Sequence, residues 1–84
     1  MTTREKLKKM LTDNGMADGQ ADAVLKEAIP RIEASMAGYK ITWNEPADGY
    51  PETVFNALWL HLCETAREWI AENAPRAWFR PIFD

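Results

Sequence analysis

A chain of 84 residues with a formal net charge of −3 has room for one domain around one core and excludes a second. Hydrophobic residues at 46% and charged residues at 27% are globular proportions, and four Trp bring large burial to a chain near the size at which small domains need help. Cys63, the single cysteine, excludes an internal disulfide; no charged stretch leading into an apolar run opens the chain, and no apolar run nears the roughly 20 residues of a bilayer span, so a cytoplasmic protein is expected.

Thr2-Thr3-Arg4-Glu5 reads as a capping box, in which the Thr2 hydroxyl and the Glu5 carboxylate each take the other's free backbone amide. Leu7, Met10 and Leu11 follow at i, i+3 and i+4, and Asn14-Gly15 offers a left-handed stop, predicting a first helix over about residues 3 to 13. Asp18 is the expected N-cap of a second helix, whose Ala21, Val24, Leu25, Ala28, Ile29, Ile32 and Met36 keep a 3.6-residue period. Pro30 interrupts it, because proline lacks the amide that bonds back one turn and its ring crowds the carbonyl there. A kink near Ala28 or a break into two short helices is expected, and the unbroken phase of the stripe favours the kink. Gly38 is expected to end this helix.

Tyr39 to Trp43 alternates aromatic and β-branched residues and should be locally extended, with no second strand-like run to pair with unless the C-terminal tail does so. Asn44 to Tyr50 is rich in turn residues. Pro51 suits the first position of a third helix and Glu52 complements its dipole. Val54, Phe55, Leu58, Trp59, Leu62, Ala66, Trp69 and Ile70 form a broad apolar stripe that runs to about residue 73, where Asn73-Ala74-Pro75 stops it. A tail follows with Trp78, Phe79, Ile82 and Phe83 among Arg76 and Arg80, where a terminus is ordinarily polar. These side chains are expected to be docked, either across the open side of the chain's own core or against a partner. The expected architecture is a single all-α domain over residues 1 to 84. It is a small three- to four-helix bundle with a short extended segment and an aromatic C-terminal tail packed across it.

The chemistry-bearing residues are few. His61, Cys63 and Glu64 are neighbours on the third helix, but residues two apart on a helix point about 200° away from each other, so His61 and Cys63 cannot share a metal or a proton. With no glycine-rich phosphate loop, no Ser/His/Asp set and no framed carboxylate pair, neither an enzyme nor a metal or other cofactor is expected. Glu64, Glu68 and Glu72 recur every four residues and line one stripe, either as a solvated helix face or as a surface for a basic partner, with Glu45 and Asp48 extending it. Leu60 falls opposite the apolar stripe, between Glu64 and Arg67, and with Trp78, Phe79, Ile82 and Phe83 could complete a partner or self-association patch. Arg80 would accompany those aromatics.

Charge is unevenly spread: residues 1 to 40 hold seven Lys and Arg against six Asp and Glu, while residues 41 to 75 hold Arg67 against six acids. That balance opposes a general nucleic-acid surface and leaves a basic patch at Arg4, Lys6, Lys8 and Lys9 as the alternative.

Leu7, Met10 and Leu11, the Asn14-Gly15-Met16 turn, then Ala21, Val24 and Leu25 resemble the first two helices of ubiquitin-associated-like domains, which implies helix-turn-helix packing. Thr3 to Leu7, Gly15-Met16, Ile41 to Trp43, Tyr50-Pro51 and Ala77 to Pro81 resemble small accessory proteins of bacteriophage and prophage genomes. That second resemblance implies a bacterial cytoplasmic setting and brings no activity with it. The function expected is a non-enzymatic, phage-type accessory protein binding a host or phage protein. The alternatives are a small nucleic-acid-binding regulator and a structural homodimer.

Overall fold

The chain begins with its cap. Thr2 Oγ1 accepts the Glu5 amide at 3.1 Å and the Thr2 amide donates to Glu5 Oε1 at 2.9 Å, so the capping box forms as its four residues predict. The structure, a computed structural model, describes residues 1–73, and in it three helices follow: α1 (Thr3–Asp13), α2 (Asp18–Ser35) and α3 (Glu52–Asn73). Gly15, at φ 101°, lets the chain reverse between α1 and α2, a backbone conformation that a side chain would strain.

α2 is the central element and packs against both α1 and α3. From α1 it receives Leu7 and Leu11, and from α3 Leu58, Leu62, Ala66 and Ile70; its own Ala21, Val24, Leu25, Ala28 and Ile32 complete the core, with Met16 and Met36 at the ends. Leu7, Leu11, Leu25, Ile32, Leu58 and Leu62 are fully buried, each contributing about 1.5–3 kcal/mol of apolar transfer.

Among the described residues the expected all-α class holds, with three α-helices and no strand. α2 runs unbroken through Pro30, so the fourth helix that a break would create does not form. Pro30 and Lys26 are both exposed while Ala28 and Ile32 stay in the core on either side, so the amide that proline lacks is missing from the outer side of the helix. The N-cap of α2 is Ala17 rather than Asp18: Gln20 Oε1 accepts the Ala17 amide at 3.0 Å, and Asp18 becomes a first-turn acid. α2 also ends before Gly38. Met36 is its C-cap, with the Met36 amide on Ile32 O at 2.8 Å and Tyr39 N on Met36 O at 2.9 Å. Pro51 precedes α3 as its cap, its carbonyl accepting the Phe55 amide at 3.1 Å.

The segment from Tyr39 to Pro51 has no ladder of its own and is fixed by side chains and by α1. Tyr50 Oη accepts the Thr42 amide at 2.6 Å and lies 3.0 Å from the Thr42 hydroxyl, and Trp43 Nε1 donates to Glu33 Oε1 at 2.8 Å. The chain then crosses the N-terminal end of α1. Arg4 N donates to Trp43 O and Thr3 N to Glu45 O, both at 3.0 Å, while Ala47 N donates to Met1 O at 3.2 Å beside an isolated Thr2–Pro46 bridge. A single 3-10 turn, Ala47–Gly49, leads on to Tyr50. The aromatic tail and the Asn73-Ala74-Pro75 stop fall partly or wholly outside the described residues.

Candidate functional site

Helical geometry divides α3 into a buried side and an outer side. Leu58, Leu62, Thr65, Ala66 and Ile70 face α2, whereas Leu60, Glu64, Arg67, Glu68 and Glu72 are exposed. Leu60 is 64% exposed, the large apolar side chain of this outer face, at the position opposite the core where the apolar period places it.

The acidic stripe is not uniform. Arg31 of α2 reaches across to Glu68 and also donates to Thr65 Oγ1 at 3.5 Å, while Thr65 donates to His61 O at 3.3 Å. Hydrogen bonding to Arg31, reinforced by its charge, holds the Glu68 carboxyl below the ordinary carboxylate range. Glu64 and Glu72 have no ion pair among the described residues. The three acids therefore differ in kind: the middle one fastens α3 to α2, and the other two make no such link among the described residues. Arg31 carried no signal in the sequence, since its partner lies 37 positions away.

The basic face of α1 is similarly occupied. Arg4 and Lys8 share Asp22 of α2, at 3.3 and 3.2 Å, and Lys9 pairs with Asp13 at 2.8 Å. Lys6 places its ammonium 4.4 Å from the centre of the Phe55 ring, a cation–π contact between α1 and α3. The Lys8 hydrogen bond, followed by the charges of Lys8 and Arg4, lowers the Asp22 pKa. An open depression borders this face, lined by Met1, Arg4, Glu5, Lys8, Lys9, Thr12 and Asp18, so acids stand among its bases. The amides at the start of α1 are also taken, by Glu45 O, Trp43 O and Thr2 Oγ1, and do not point at solvent as an anion site requires.

His61 and Cys63 are both half-buried on α3, and burial pushes the Cys63 thiol up while the Arg67 charge pulls it down. Among the described residues no group of three or more His, Cys, Asp or Glu could hold a metal ion. No helix there is long and apolar enough to cross a membrane. Trp78, Phe79, Arg80, Ile82 and Phe83 lie outside the described residues. Comparison of the chain with family models, with curated proteins and with solved structures gave no match.

Proposed function

We infer that this chain is a small, non-enzymatic accessory protein of phage type, acting in a bacterial cytoplasm through protein–protein contact, with the outer face of α3 as a docking surface. The observation that carries the reading is Leu60, 64% exposed on a face whose other large side chains are charged. A leucine there contributes nothing to the core; Glu64, one turn on, and Glu72, about three turns on along α3, are the carboxylates of the stripe left to orient a partner once Glu68 is bound by Arg31. Trp78, Phe79, Arg80, Ile82 and Phe83 are the proposed companion anchors. The alternative use of Arg4, Lys6, Lys8 and Lys9 as a phosphate surface is less favoured, because a phosphate would have to displace Asp22 and Asp13 from three of them.

The test is capture of binding proteins by the tagged full chain, repeated with purified components and with Leu60→Glu and a Glu64→Lys/Glu72→Lys variant. Leu60→Glu should keep the helical circular-dichroism signal and lose binding. Undiminished binding by both variants removes the outer face of α3 from the interaction.

A further inference from the structure

Thr53, Ala57, Leu60, Glu64, Arg67 and Ala71 follow one another along α3 at intervals of four, three, four, three and four residues. That spacing keeps the six side chains on one stripe of the helix, on the side opposite the core stripe, with charges at Glu64 and Arg67 where an ordinary coiled-coil seam would be apolar. Ala57 is half-buried against the edge of the core and the other five are exposed, so from Leu60 to Ala71 nothing in the described fold covers this stripe of α3. Its chemistry is specific about what fits. A parallel copy would set Glu64 against Glu64 and Arg67 against Arg67, like charge on like. An antiparallel copy, with the two-fold axis passing between Thr65 and Ala66, sets Glu64 against Arg67 of the second copy and Arg67 against its Glu64. In the same register Leu60 meets Ala71 of the second copy and Ala71 meets its Leu60, a large side chain into the space above a small one. Charge and size are matched by one register, and that register is self-complementary as a two-fold interface must be.

We propose that α3 pairs antiparallel with α3 of a second copy of this chain along the Leu60–Glu64–Arg67–Ala71 seam, with two reciprocal Glu64–Arg67 ion pairs and two Leu60–Ala71 contacts. The proposal rests on the outer face of α3 being an interaction surface and names what occupies it. One leucine per copy on a single helix makes a small interface, so the association is weak and concentration-dependent.

The test is sedimentation equilibrium of the full chain from about 10 µM to about 1 mM, with Glu64→Arg, Arg67→Glu, the double exchange, and Leu60→Glu. The wild type should dimerise across that range. Each single reversal turns both ion pairs into repulsions and should weaken dimerisation about tenfold, Leu60→Glu should leave a monomer, and the double exchange should return to within about threefold of wild type. The double exchange keeps opposite charges three residues apart on one helix, and it shares with Glu64→Arg any effect on Arg31, so its recovery reports the contact between copies. A wild type that stays monomeric throughout overturns the second-copy occupant and leaves the broader reading to Leu60-dependent capture of another protein. A dimer indifferent to the reversals, or weakened by each and not restored by both, overturns the register and with it the proposal.

Discussion

Two carboxylates tie the outer helices to the central one: Asp22 of α2 takes Arg4 and Lys8 from α1, and Glu68 of α3 takes Arg31 from α2. With Glu5, bonded to the Thr2 amide and hydroxyl, they are the acids whose carboxyls the fold holds below their ordinary values of 4.5 for Glu5 and Glu68 and 3.8 for Asp22. A carboxyl depressed in the folded state contributes stability that is fully present above its unfolded pKa and is lost as pH falls through the folded one. Urea midpoints should therefore hold steady above about pH 5 and decline as pH drops below it, and Asp22→Asn with Glu68→Gln should flatten that decline. An equal slope in the double variant would assign the acid limb to other groups. Salt should weaken these exposed pairs at neutral pH. The Thr2–Glu5 pairing was legible in the sequence because both partners sit within one helical turn. The Asp22 and Glu68 pairings were not, because no local period relates residues 14 to 37 positions apart.

At the scale of the element, α2 shows how packing overrides local preference. Its apolar period is strong enough to carry the helix through Pro30, at the cost of one backbone hydrogen bond on the solvent side. Pro30→Ala should restore that bond, relieve the ring contact and stabilise the chain by about 1–3 kcal/mol, read as a higher urea midpoint with unchanged slope. A loss of stability would mean that proline restricts the unfolded chain by more than it costs the helix. Period and phase were readable in advance for all three helices, since burial on one side imposes them residue by residue. Helix ends were less so. Gln20 rather than Asp18 bonds back at the start of α2, and the helix ends at Met36, two residues before Gly38, so at the start side-chain reach decides where propensity offers two choices.

For the whole molecule, Leu58 and Leu60 stand two residues apart on α3 and belong to opposite surfaces, 0% and 64% exposed. Leu58→Ala should cost about 2–5 kcal/mol, a large part of the stability of a domain this size, whereas Leu60→Ala should stay within about 0.5 kcal/mol. Thermal unfolding of dilute protein separates the two, and equal losses would place Leu60 within the cooperative core. The sequence pattern could assign Leu60 to the outside but not identify what meets it there, since one chain's period describes its own core only. Nor did it show that the Trp43–Ala47 segment closes the start of α1, because backbone carbonyls accept hydrogen bonds whatever side chain they carry. That closure has an order in time. On the ribosome α1 can form its own cap once Glu5 has emerged, yet the amides of Thr3 and Arg4 must wait for Trp43 and Glu45 to be made, so during synthesis the first helix of the protein is among the last to be finished.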